Sequence, residues 1–130
     1  MTDLADPAQS EMKPAQLRKV WCPSQEDFDL FARVSGDDNP IHVDPEFSRQ
    51  SAFGRTVSHG MLIYSKLWGM ICAAHPGAQG KTQKMMFPNP CFTGADVQLE
   101  VDGQLPGTVT MRAVRVMDGA ELFLGEAEVL

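Results

Sequence analysis

Cysteine is scarce in this chain. Cys22, Cys72 and Cys91 stand far apart in 130 residues and are odd in number. They form neither a disulfide framework nor the clustered spacing of a zinc site, and they suit a reducing compartment, so a cytoplasmic protein is expected. Positive charge is also short: 11 Lys and Arg stand against 17 Asp and Glu, a formal net charge of −6. That balance argues against nucleic acid or an anionic membrane as the main partner. It leaves room for a local basic patch, and Arg49, Arg55, Lys81, Lys84, Arg112 and Arg115 could form one around a phosphorylated ligand. Scattered, solvated charges are the simpler reading of each. Long apolar runs are missing too, since the most apolar stretch, Met61 to Ala74, is too short to span a bilayer and contains Lys66. No glycine-rich phosphate loop, Walker sequence, zinc spacing or Gly-x-Ser-x-Gly elbow occurs, and no internal repeat.

Residues 1–16 mix acidic residues with Pro, Ala and Gln, without a basic or an apolar region. A flexible leader is expected there, with one domain over residues 17–130. Leu17 to Trp21 reads as a short strand. Ser24 then caps a helix whose acidic first turn opposes the dipole, whose Phe28, Phe31 and Ala32 share a face, and which Gly36 ends. Asp44-Pro45 starts a second short helix, to about Gln50. Ser58 is expected to cap a third, running to about Ala74, so apolar that it should be buried on nearly all sides. Strands come after. Val97, Leu99 and Val101 alternate with polar residues; Val109 to Met117 and Glu121 to Val129 flank the hairpin signal Asp118-Gly119. The spacing predicts an α+β domain, an antiparallel sheet curled around one long helix, with an exposed sheet edge that a second chain would cover.

Between the first two helices lies Asp37-Asp38-Asn39-Pro40-Ile41-His42. Pro40 fixes its own φ and keeps Asn39 out of the helical region, so a rigid turn is expected. Such a turn can place Asp37 and His42 on one side, with Asn39 bonded to one of them. A carboxylate beside an imidazole sets its tautomer and supports acid–base work. Asp-Asn-Pro taken alone is more ordinarily an Asx-type turn. The second feature is Ser58-His59-Gly60 at the head of the apolar helix. With Ser58 bonded to the Met61 amide, the Gly60 N–H stays free for a thioester carbonyl, as an oxyanion hole requires. An ordinary capped helix with a close-packing glycine would look the same.

Together, Asp37-x-Asn39-Pro40-x-His42 and the later His59-Gly60-Met61 resemble the hydratase motif of the MaoC-like family, the (R)-specific enoyl-CoA hydratases of the hot-dog fold. The likeness runs from about Phe31 to Leu62 and weakly through Phe87-Pro88-Asn89-Pro90-Cys91-Phe92-Thr93-Gly94. One departure is Ala95, where the family usually has an acidic residue. The resemblance implies a single hot-dog domain that hydrates a 2-enoyl-CoA, or dehydrates a 3-hydroxyacyl-CoA, without metal or cofactor. Asp37 and His42 would be the catalytic pair, Asn39 would orient that pair or the water, and the Gly60 amide would hold the thioester carbonyl. Asp38 would be solvated, His59 structural and His75 a surface residue. Gly60, Tyr64, Trp68 and Ile71 lie at i, i+4, i+8 and i+11 and could line the acyl pocket, with Trp68 shortening it; they are equally core residues. A dehydratase acting on acyl carrier protein, a thioesterase, and a non-catalytic acyl-thioester-binding subunit are the alternatives. A homodimer or larger homo-oligomer is expected.

Overall fold

The computed structural model describes residues 13–130. Its elements run in the order β1 (Lys13–Trp21), α1 (Gln25–Ser35), α2 (Pro40–Val43), α3 (Pro45–Arg49), α4 (Gly60–Ala74), β2 (Gly80–Met86), β3 (Val97–Leu105), β4 (Gly107–Arg115) and β5 (Glu121–Val129). The strands make one five-stranded sheet in the order β1-β3-β4-β5-β2, antiparallel at every pairing. Alternation decides which face is buried. Val97, Leu99 and Val101 of β3, Val109, Met111 and Ala113 of β4, and Phe123, Ala127 and Val129 of β5 turn inward. Leu62, Ile63, Leu67 and Ile71 of α4 join them in one core. Full burial of such a side chain is worth about 1.5–3 kcal/mol, so this interface dominates the stability.

The outer face is polar. Arg18 makes a bidentate contact with Asp102 at 3.0 and 3.1 Å, and Glu100 lies between Arg18 and Arg112. The Arg18–Asp102 pair is solvent-exposed and worth only about 0.2–1 kcal/mol.

Several expectations change. The first strand begins at Lys13, not Leu17, because residues 13–16 pair with the far end of β3. Of the expected leader, residues 1–12 lie outside the described residues. Helix α4 is buried on one face only: Met61, Ser65, Gly69, Ala73 and Ala74 remain exposed, since a single sheet covers one side. Ser58 is not its cap. The helix starts after His59, without a side-chain cap, and the Ser58 hydroxyl donates to the His59 carbonyl. Three residues of the possible basic patch are engaged elsewhere. Arg112 is paired with Glu100 and Glu121, Arg49 with Glu46, and Arg115 is buried against Asp118 and the Pro90 carbonyl. No helix among the described residues is long and apolar enough to cross a membrane.

Candidate active site

Local sequence explains how the acidic turn is held. Helix α1 opens with a capping box between Ser24 and Asp27 and closes at Gly36, whose φ of 82° is the left-handed cap. The Ser35 hydroxyl accepts from the Asp37 amide at 3.2 Å. Asn39, with φ −53° and ψ 133°, then caps α2, its Oδ1 accepting from the Ile41 amide, and Pro40 occupies the first helical position. The expected turn is therefore a one-turn helix. The Oδ1 of Asn39 thus serves the helix end, and its main-chain N–H lies 3.4 Å from Oδ1 of Asp37.

His42, on α2, is buried, and its Nδ1 lies 2.8 Å from the Val57 carbonyl. A carbonyl oxygen only accepts, so Nδ1 carries the proton and Nε2 of the neutral ring keeps a lone pair. Nε2 stands 3.8 Å from Oδ2 of Asp37, beyond direct hydrogen bonding but within reach of a shared water. Asp37 and His42 thus come together as the motif predicts.

His59 completes a triangle. Its ring stacks on His42 at 3.9 Å between centroids with 24° between planes, and Phe31 covers it at 4.8 Å. Nε2 of His59 lies 2.8 Å from the Asp37 carbonyl and must therefore donate. Its Nδ1 is buried with no hydrogen-bond partner among the described residues. Burial holds the His59 imidazole below its ordinary pKa of 6.5, reinforced by His42 and opposed by the Asp37 carbonyl and carboxylate. A depressed folded pKa contributes stability above the unfolded value of 6.5, and that contribution is lost as pH falls below it. Urea unfolding between pH 8 and pH 5 should show stability declining with acid, and His59→Gln should flatten that decline over this pH range.

Ligand atoms of Asp37, His42 and His59 lie within 4.8 Å of one another. The stacked rings do not converge on one cation, and the only unprotonated nitrogen of His59 is sealed from solvent. Only His42 Nε2 and Asp37 offer ligands to the open side, fewer than a resident transition metal takes.

That open side is a cavity of about 500 Å³ lined by Asp37, His42 and Gly60. Ile63 and Leu122 add apolar lining, and the run Phe87 to Cys91 supplies a further wall. The Gly60 amide is in the first turn of the uncapped α4, at the positive end of its dipole. A Cβ on Gly60 would lie 2.8 Å from the Phe87 ring, so the absent side chain is what lets that wall close in. Burial pushes the Cys91 thiol up to about 12, which makes it a poor nucleophile.

Tyr64, Trp68 and Ile71 do not line this cavity. Ile71 is fully buried in the core, Tyr64 lies 6.4 Å from Phe123 between ring centroids, and Trp68 sits beside Gly80. Beyond its first turn that helix face packs on the core, and the cavity takes further lining from Leu122 of β5 and the Phe87 wall. Sequence reasoning misses Ile63, Phe87 and Leu122. The Phe87-Pro88 run is visible, but nothing local shows which helix end a loop will cover.

The family model described as MaoC like domain matches residues 5–119. The chain belongs to the MaoC-like family. Its fold agrees with the R-hydratase of Pseudomonas aeruginosa in the unliganded form, at a TM-score of 0.81 and 28% identity over 89% of this chain and 79% of that one. In sequence it is similar to the mitochondrial 3-hydroxyacyl-[acyl-carrier-protein] dehydratase of Arabidopsis thaliana, 38% identical over 62% of this chain and 49% of the plant protein. It is also similar to the (R)-specific enoyl-CoA hydratase of Aeromonas caviae, 40% identical over 55% of both. This MaoC-like chain thus matches about half the length of these two curated relatives. The hot-dog expectation holds: the single antiparallel sheet against α4 is the architecture of the hydratase neighbours.

Proposed function

We propose that this chain hydrates a 2-enoyl thioester to the (R)-3-hydroxyacyl thioester and catalyses the reverse dehydration. What supports this is that Asp37, His42 and Gly60 line one cavity, with His42 Nε2 3.8 Å from the Asp37 carboxylate and Gly60 in the first turn of α4. A water held between Asp37 and His42 gives up its proton to the pair as its oxygen bonds to C3. The Gly60 N–H and the α4 dipole stabilise the charge that develops on the thioester oxygen. The pair then returns a proton to C2, so atoms and charge balance and no cofactor takes part. Deprotonation of the same carbon runs the step backwards. The (R) outcome rests on the Aeromonas caviae and Pseudomonas aeruginosa relatives.

Hydration of crotonyl-CoA, monitored by loss of enone absorbance, tests this; wild type inert on a range of enoyl-CoAs would leave the non-catalytic acyl-binding reading. The plant relative supports a second reading, an acyl carrier protein in place of CoA. Turnover of crotonyl-carrier protein above crotonyl-CoA would favour it. The two sheet edges, β1 and β2, support association of two chains; light scattering giving only monomer would refute that.

Gly60→Ala tests the oxyanion site. The new methyl group would meet the Phe87 ring, so kcat/KM should fall by up to about 10²-fold through displacement of the bound carbonyl. Adding Phe87→Ala should restore part of it. No recovery would mean that the methyl group obstructs the substrate itself.

A further inference from the structure

We propose that Gln25, outside the cavity, is a positioning residue that locks His42 in its base-competent tautomer; this rests on the acid–base reading of the Asp37–His42 pair. Helix α2 has four residues, too few to hold itself, and its last carbonyls have no partner within the helix. Gln25 supplies one. Its Nε2 donates to the His42 carbonyl at 2.8 Å and to Asp29 Oδ1 at 3.0 Å. Both partners are obligate acceptors, so the orientation of the amide is fixed by chemistry. Its Oε1 then accepts from the Thr56 hydroxyl at 2.7 Å. Thr56 Oγ1 also contacts Thr93 Oγ1, and Thr93 donates back to the Thr56 carbonyl at 2.8 Å.

Thr56 leads directly into Val57. The Val57 carbonyl holds the proton on His42 Nδ1, and the Val57 amide donates to the Ile41 carbonyl at 3.0 Å. One side-chain amide therefore grips the main chain of His42 on one side and the segment bearing its tautomer-setting acceptor on the other. Without it, α2 and the 56–58 segment keep the Val57–Ile41 main-chain bond but lose the side-chain tie that helps hold Nδ1 on the Val57 carbonyl. The protonated nitrogen could then swap, leaving Nε2 without the lone pair that takes the water proton. Gln25 itself touches no reacting atom.

The experiment compares Gln25→Met, which keeps the length and removes every hydrogen bond, with Thr56→Val and Thr56→Ser. Readouts are kcat and KM on crotonyl-CoA, far-UV circular dichroism, and the imidazole ¹⁵N spectrum of His42. Gln25→Met should lower kcat by up to about 10²-fold with KM little changed. The His42 ¹⁵N signals should move from the Nδ1–H pattern toward exchanging tautomers, with wild-type dichroism. Thr56→Val should do the same in smaller measure, and Thr56→Ser should match wild type. The double variant Gln25→Met/Thr56→Val should be no worse than Gln25→Met alone, since both cut one chain. An unchanged kcat, or a fall in kcat with a wild-type His42 spectrum, would overturn the proposal. If Gln25→Met does not fold, the Thr56 pair decides by the same spectrum. Wild type without activity would sink the hydratase reading, while the spectra still judge the positioning role.

Discussion

His42→Ala should lower kcat for crotonyl-CoA hydration by about 10²–10⁴-fold, the usual cost of removing a general acid–base group. His42 is well placed for so large an effect. Its Nδ1 proton is committed to the Val57 carbonyl, its Nε2 is turned toward Asp37, and Asp37 and His42 line the same cavity. Asp37→Asn should fall in the same range, because the amide keeps the shape but loses the charge that holds the water and balances an imidazolium. The two losses should not add: once one partner is gone, the other has no proton to pass. Progress curves at saturating crotonyl-CoA give kcat directly. A His42→Ala variant within about tenfold of wild type would place the base elsewhere. KM should change less than kcat, since neither side chain is proposed to hold the acyl chain or the carrier.

Phe28→Ala should cost about 3–5 kcal/mol, the range for emptying a fully buried phenylalanine site. Phe28 has no exposed surface and belongs to the main core, where it docks α1. Against a typical total of about 5–15 kcal/mol, that loss leaves a marginal fold. The effect should reach the cavity as well, because α1 also carries Gln25, bonded to His42, and Phe31, packed on His59. Urea unfolding should show a lower midpoint at an unchanged m-value. Leu30→Ala, on the exposed side of the same helix at 54% exposure, should stay within about 0.5 kcal/mol of wild type. Equal shifts for the two variants would mean that α1 is not docked through Phe28.

Local rules make much of the molecule legible in advance. Ser24, Gly36, Asp44 and Pro45 act at helix ends through their own side chains or φ preference, and all sit where those preferences put them. Alternating Val and Leu on β3 predicts its buried face because a strand has period two. Ser58 misleads because the next residue takes the cap position, and a hydroxyl bonds whichever neighbour the chain presents. The Tyr64–Trp68–Ile71 stripe misleads for a non-local reason: helical spacing says which residues share a face, not whether a sheet or a cavity covers it.

The order of residues by itself determined the helix ends, the strand alternation, the nearness of Asp37 to His42 and the family that these signatures imply. Packing between distant segments decided the rest. The Val57 carbonyl that sets the His42 tautomer, the stacking of His59, the Phe87 wall over Gly60 and the Gln25 tie all join parts of the chain far apart in sequence. Hydrogen bonds and ring contacts of that kind depend on where folded elements come to lie, and no periodicity or local preference encodes it.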